Sequence, residues 1–418
     1  NATDYSNHPN IKRTNLMIQL RPHQQHALEL LNNNSKGIIL VPTGGGKTFI
    51  AITDAQRQFK SLWNWDNTRH QFAEPKTIVI VAPRILLAEQ LSAEFLEHIT
   101  DVKVLHVHSG ETHHYSTTNK TAIYDWAVDN WKHHKLIFTT YNSLHRIQEA
   151  NINVDTIYFD EAHNSIQRHF FPATEYFSNE AKRCYFFTAT PKHSVAVAKA
   201  GMNDVEVYGK VLCDIPAPEL VKQGVILPPK VIVKKIDMPD DSRTDYEKDC
   251  ENVLSTLDEI DVAKVLICAR NTKQIIGLVG QTHFANQLQM RGYNVMYITA
   301  KTGGVINGTK VNREQFFDKL NTWGKDDNAR FVVLHHSILS EGINVKGLEA
   351  ALFLRNMNYV GISQTIGRVI RTGSPSKTYG LVVVPCYDRV GISTAKSVNA
   401  VVDVVFNKGK AAVSTIRR

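Results

Sequence analysis

Short runs of apolar, largely β-branched residues alternate along the chain with stretches whose apolar positions recur every three or four residues. GIILVP (37–42), TIVIVAP (77–83), KLIFTT (135–140), TIYFDEA (156–162) and RCYFFTATP (183–191) read as strands covered on both faces. A strand with one wet face would alternate apolar and polar residues, and these do not. Between them, segments such as ILLAEQLSAEFLEHI (85–99) carry helical spacing. A second series follows, with KVLICA (264–269), NVMYIT (294–299), RFVVLH (330–335), AALFLR (350–355) and YGLVVVP (379–385). Strands alternating with helices predict an α/β fold of two units, each a mainly parallel sheet flanked by helices. The break falls near APELVKQGVILPPK (217–230), because Pro228-Pro229 continues neither a helix nor a central strand. The expected division is a tail at 1–14, a first unit at 15–207, a linker at 208–230 and a second unit at 231–418.

Two stretches lack either period. SLWNWDNTRHQF (61–72) is expected to be an amphipathic helix end with surface aromatics, and SGETHHYSTTNK (109–120) a polar surface loop. After the last apolar run come one helix, TAKSVNAVVDVVF (394–406), and a basic end, AAVSTIRR.

Composition narrows the class. The 418 residues exceed one hydrophobic core, and 43% hydrophobic with 21% charged residues is ordinary for a globular protein. No apolar run approaches the roughly 20 residues that span a bilayer. The start, NATDYSNHPNIKRTN, has no apolar signal core and no Met, and reads as a trimmed beginning. Five cysteines without C-x-x-C spacing argue against a disulfide framework or zinc knuckle and for a reducing, cytoplasmic setting. The adjacent pairs His113-His114, His133-His134 and His335-His336 are poor chelators, since neighbouring side chains point apart. The excess of 48 Lys and Arg over 40 Asp and Glu suits a polyanionic partner.

The chemistry is concentrated in three short strings. LVPTGGGKTF (40–49) places Thr43, Gly44, Gly45, Gly46, Lys47 and Thr48 between a strand and a helix, although Val41 stands where a phosphate-loop pattern has its first glycine. Glycines let successive N–H groups face an anion, and the following helix dipole favours it. Lys47 would then reach the β- and γ-phosphates and Thr48 would ligate Mg²⁺. TIYFDEAH (156–163) ends a strand in two acids, suiting Asp160 to a metal and Glu161 to deprotonating water. QTIGRVIR (364–371) spaces Arg368 and Arg371 by three, which on a helix aims both at one target such as a γ-phosphate.

Taken in order, these strings resemble the motors of helicase superfamily 2, with DEAH as the ATPase box, and the resemblance covers nearly the whole chain. It implies two tandem RecA-like domains that bind ATP and Mg²⁺ between them. Arg21 and Gln24 in LRPHQQHAL match the adenine-contacting segment, and VPTGGGKT matches motif I. Motif VI supplies Gln364, Arg368 and Arg371, while His163 and Gln364 are implied to couple hydrolysis to domain position. APRILLAEQ and TTYNSL resemble motifs Ia and Ib, TATP motif III, KVLICARNTKQ motif IV and SEGINVKGL motif V. They imply backbone contacts from Pro83, Arg84, Thr140, Tyr141, Asn142, Arg270, Asn271 and Thr299, and a nucleotide contact from Gly342. Asn344 stands where many relatives carry an acid.

The implied activity is ATP-dependent movement along nucleic acid without sequence preference, with DNA favoured over RNA. The segments look closest to phage branched-DNA helicases and restriction-type motors. Three readings therefore stay open at this point, a branched-DNA helicase, a duplex translocase of a restriction complex and an RNA helicase. No membrane association is expected.

Overall fold

The computed structural model describes residues 18–60, 62–64, 71–110, 112–236, 242–337, 345–373, 377–386 and 391–417. Within these residues no helix is long and apolar enough to cross a membrane. Ten strands come first: β1 (Lys36–Leu40), β2 (Leu62–Asn64), β3 (Gln71–Ala73), β4 (Thr77–Ala82), β5 (Val102–Val107), β6 (His134–Thr140), β7 (Thr156–Phe159), β8 (Arg183–Thr188), β9 (Lys192–Ser194) and β10 (Val211–Asp214). Seven of them form one sheet in the order β10-β1-β8-β7-β4-β6-β5, with every neighbouring pair parallel. All six residues of β4 are buried, as expected when crossover helices cover both faces.

The second group is β11 (Pro229–Lys235), β12 (Lys264–Cys268), β13 (Asn294–Thr299), β14 (Gly303–Ile306), β15 (Thr309–Val311), β16 (Phe331–His335), β17 (Ala350–Phe353), β18 (Gly380–Cys386) and β19 (Ser414–Ile416). Eight strands make a sheet in the order β11-β18-β17-β12-β16-β13-β14-β15. It is parallel as far as β13 and ends in the antiparallel pairs β13–β14 and β14–β15. The β14–β15 turn is Asn307-Gly308, both with positive φ (48° and 82°), the conformation a two-residue hairpin turn demands. One apolar cluster joins Ile39 and Ile80 of the first sheet to Leu266, Val333 and Ile366 of the second half.

Every expected core strand is present, and four expectations change. The stretch 61–72 contains β2 and enters β3, which pair as an antiparallel hairpin, so it is not a helix end. The segment 208–230 contributes β10 at the edge of the first sheet and begins β11 at the edge of the second. Pro229 is tolerated there because an edge strand leaves its missing N–H unneeded. The basic end is also a strand, since β19 returns to the first half and pairs in parallel with β9. Finally, the helix Tyr359–Val369 stops before Arg371, which forms an isolated bridge with Ile226. Leu227 N–H bonds the Ile370 carbonyl at 2.7 Å, drawing the chain out of the helix, so Arg368 and Arg371 do not share a helix face.

Candidate nucleotide site

The C-terminal ends of β1, β7 and β8 lie side by side, with Leu40 opposite Thr188 and Phe159 opposite Phe186. The loops leaving these ends therefore meet at one edge of the first sheet, the usual ligand position in such sheets. From β1 the chain runs through residues 41–46 into helix α2 (Lys47–Phe59). Gly44 and Gly46 have φ of 85° and 81°, a region that costs a side chain 1 kcal/mol or more and costs glycine nothing. Gly45 is needed for space, because a Cβ there would lie 2.6 Å from Val41 Cγ1.

Helix α1 (Pro22–Asn33) braces this loop. His23 Nε2 lies 2.7 Å from the Gly45 carbonyl oxygen, and Gln24 Nε2 donates to that of Gly46 at 3.0 Å. Arg21 N–H donates to Gln24 Oε1 at 2.9 Å, so the glutamine is fixed at both ends. Gln24 is thus beside the loop, and Arg21 is exposed at the start of α1. His23 is a bracing residue that the sequence did not single out.

Lys47 is ion-paired with both acids of the DEAH string, at 3.1 Å to Asp160 Oδ1 and also to Glu161 Oε1. Burial disfavours its charge, but Asp160 and Glu161 outweigh burial and raise its pKa above the ordinary lysine value. Burial raises the Asp160 carboxyl, and Lys47 only partly offsets this. Burial also opposes ionisation of Glu161, yet Lys47, His163 and Arg368 hold its carboxyl below the usual range. The two neighbouring acids are therefore pushed apart, with Glu161 the one held ionised beside Lys47. Glu161 has φ of 47°, a left-handed backbone that a non-glycine residue holds only when its surroundings impose it.

His163 links this string to the TATP segment. Its Nδ1 is 3.0 Å from Thr188 Oγ1 and 3.2 Å from Thr190 Oγ1, and 3.6 Å from Glu161 Oε2. Displacement of the acid-bearing turn must therefore disturb the end of β8.

The second half closes on the loop through the helix Tyr359–Val369. A Cβ on Gly367 would fall 2.5 Å from Thr43 Cγ2, so this helix backbone rests directly on the loop. Arg371 Cγ lies 3.8 Å from where a Gly44 Cβ would be. Burial and the neighbouring Arg371 lower Arg368 to about 10, which leaves it charged at neutral pH. Burial likewise lowers Arg371, while Glu94 and Glu161 support its charge. A buried and a half-buried guanidinium beside a glycine loop suit an anion between them. Gln364 is buried in the same helix. Gly342 and Asn344 lie outside the described residues.

The expected nucleic-acid contacts divide by exposure. Asn142, Arg270 and Asn271 are exposed, and Pro83 and Arg84 are half-buried at the start of α3 (Ile85–His98). Thr140, Tyr141 and Thr299 are buried, which corrects the expectation of surface contacts from them. Tyr141 packs on Phe159 and Phe170 and donates to the Asp160 carbonyl oxygen at 2.7 Å, so it holds the acid-bearing turn. Thr299 Oγ1 accepts from Thr302 N–H at 2.9 Å.

One buried network lay outside the motifs altogether. Arg183 forks onto both oxygens of Asp54 at 2.8 Å each, and Tyr158 bonds the same carboxylate. It clamps α2, and hence the loop's helix, to β7 and β8.

Residues 17–193 match the family described as Type III restriction enzyme, res subunit. No curated protein matches the chain. Among solved structures, it is similar to the ATP-dependent Type ISP restriction-modification enzyme LlaBIII bound to DNA, with TM-score 0.72 and 18% identity over 96% of this chain and 31% of that one. A nuclease-deletion mutant of the Type ISP enzyme LlaGI with a DNA substrate mimic gives TM-score 0.64 and 19% identity over 95% of this chain and 30% of that one. A fragment described as an HsdR subunit of a type I restriction enzyme from Vibrio vulnificus gives 0.58 and 14% over 94% and 68%. The chain spans about a third of the length of the two Type ISP enzymes. These likenesses show the fold, two tandem RecA-like units. The superfamily 2 resemblance carried by the motifs agrees with the family match over residues 17–193.

Proposed function

We propose that the chain is the ATP-driven motor of a restriction-type enzyme, hydrolysing ATP between its two sheets to translocate on duplex DNA. The observation that carries the reading is the convergence of Lys47, Asp160, Glu161, Arg368 and Arg371 on the glycine loop. The donor set fits a triphosphate, since glycines line the loop and the buried Arg368 and half-buried Lys47 and Arg371 lie around it. The two sheets are taken as the two motor domains, joined between Asp214 and Pro229.

In this reading the loop N–H groups and Lys47 hold the β- and γ-phosphates, with Lys47 exchanging its carboxylate partners for phosphate oxygens. Gln24 and Arg21 face the adenine side. Thr48 and Asp160 would hold Mg²⁺, which supplies charge neutralisation at the phosphates when bound. Glu161, freed from Lys47, takes a proton from the attacking water. Arg368 and Arg371 stabilise charge on the transferred phosphoryl group from the opposite side, and Gln364 and His163 report the nucleotide state to the helix 359–369 and to β8. Pro83, Arg84, Asn142, Arg270 and Asn271 are assigned to the phosphate backbone, which predicts sequence-tolerant, salt-sensitive binding. The family match at 17–193 and the DNA-bound relatives support a restriction-type duplex translocase over a branched-DNA or RNA helicase.

The test is ATP turnover with and without duplex DNA, together with triplex displacement on duplex tracks and strand separation on forked DNA. Glu161→Gln should lower turnover about 10²- to 10⁴-fold, the usual share of a general base. Lys47→Ala should abolish it. Wild-type-like turnover in both variants would remove the site assignment. Unwinding of forks or of RNA duplexes, without triplex displacement, would remove the translocase reading.

A further inference from the structure

A second constellation lies away from the nucleotide loop, between α3 and β5. His106 is the penultimate residue of β5 and His108 lies just past its end, so the alternation of extended chain turns both rings to one face. Glu89 and Ser92 are three apart on α3 and face them. His106 Nδ1 lies 3.1 Å from His108 Nε2 and 3.2 Å from Glu89 Oε1, and His108 Nε2 lies 3.4 Å from the same oxygen. Both imidazoles are buried, and Glu89 Oε1 is itself buried without a hydrogen-bond partner. A buried carboxylate oxygen in that state carries an uncompensated desolvation cost. The one proton on His108 Nε2 is shared between His106 Nδ1 at 3.1 Å and this oxygen at 3.4 Å, whereas a cation among the three would satisfy them all.

The spacing suits one kind of cation better than another. Tetrahedral zinc at 2.0–2.1 Å from its ligands separates those ligands by about 3.3–3.4 Å, close to the three edges observed. Octahedral magnesium at similar bond lengths would need edges of about 2.9 Å, and imidazole is a poor ligand for it. The outer contacts are partly in place. Ser92 Oγ is 3.0 Å from His106 Nε2, so that ring can keep its proton there and present Nδ1 inward. His114 stacks flat on His106, with centroids 5.1 Å apart and planes within 6°. One contact must change on loading. Gly110 N–H donates to His108 Nδ1 at 3.1 Å, which puts the proton of the neutral ring on Nε2. Metal binding moves that proton to Nδ1, and the Gly110 peptide turns away.

We propose that Glu89, His106 and His108 form a site for a borderline divalent metal, Zn²⁺ foremost, with solvent as fourth ligand. Such a metal would pin α3 to β5. Because Arg84 immediately precedes α3, the metal would set the rigidity of a segment assigned above to the DNA backbone, although the site itself does not depend on that assignment.

The experiment uses the full chain, nucleotide-free and stripped with a chelator, dialysed against Zn²⁺ and separately against Co²⁺. One zinc per chain is expected, with the intense visible absorption of tetrahedral cobalt and a raised melting temperature. Glu89→Gln should weaken binding by at least the ~10- to 100-fold typical of lost outer partners, and His106→Ala with His108→Ala should abolish it. Because Glu89→Gln changes only one partly exposed side chain, it keeps the test valid if the histidine variants fail to fold. His113→Ala and Asp160→Asn should bind zinc like the wild type. No bound zinc, equal binding by Glu89→Gln, loss in Asp160→Asn or the weak bands of octahedral cobalt would each overturn the proposal.

Discussion

Adding one methyl group at Gly367 tests whether the second half works by resting on the phosphate loop. In an ordinary helix interior, Gly→Ala stabilises by about 0.5–1 kcal/mol because alanine loses less backbone freedom. Here the new Cβ would meet Thr43, 2.5 Å from Cγ2 and 3.0 Å from Oγ1. Thr43 Cβ itself would lie 2.4 Å away, beyond the reach of any rotamer change, and normal carbon contacts need about 3.5–4.0 Å, so the helix or the loop must withdraw by roughly 1 Å. Overpacking of this kind costs about 1–3 kcal/mol. That penalty falls on the contact between the helix and the loop, while the helix itself gains. Expressed as an equilibrium between seated and withdrawn helix, the cost is about 5- to 150-fold. Steady-state ATPase with saturating duplex DNA should therefore show kcat/KM reduced by that factor, with a melting temperature equal to or slightly above the wild type. Thr43→Gly removes Cβ and Cγ2 together, so the double variant should recover part of the loss relative to Thr43→Gly alone. A kcat/KM within twofold of the wild type for Gly367→Ala would refute the idea that this contact limits catalysis.

Two further perturbations probe the buried charges. Asp54→Ala strips Arg183 of its bidentate partner and should cost ~3–5 kcal/mol, the range for breaking a buried pair from one side. Chemical denaturation of the first half would show it, and a loss under 1 kcal/mol would mean that water replaces the carboxylate. His335 gives a pH dependence, because burial first, then Arg368, Arg355 and His336, lower its pKa from 6.5 to about 3. Its folded form excludes the proton that the unfolded chain accepts, so its contribution is complete above pH 6.5 and declines as pH falls toward 3. The urea midpoint should fall more steeply with acid in the wild type than in His335→Asn, and parallel curves would contradict this.

The central strands were legible because burial on both faces leaves an unbroken apolar run such as TIVIVA, which few other structures require. The catalytic strings were legible for a different reason, since phosphate chemistry needs particular side chains at fixed spacings from a strand end. What escaped notice depends on partners distant in sequence. VKVLHV of β5 mixes polar and apolar residues as an edge strand does, and STI of β19 becomes a strand only because β9 accepts it. Arg371 looked helical until residues 226–227 captured the backbone. Tyr141 resembled a surface contact because nothing in TTYNSL reveals that its hydroxyl reaches the turn carrying Asp160. The spacing of His106 and His108 was visible, but their meeting with Glu89 was not.

The return of the chain end to β9 changes the mechanics of the cleft. The polypeptide enters the second sheet after β10 and leaves it again before β19, so two covalent crossings, not one, join the halves. A single crossing would let the halves swing about any axis through one point. Two separated crossings define a line, and rotation about that line is the motion that stretches neither. The strap meets the first half at residues 192–194, just beyond the threonines that hold His163. Torque from a moving second half would therefore be delivered next to His163 and its two threonines, and a pull on β19 would be felt there first.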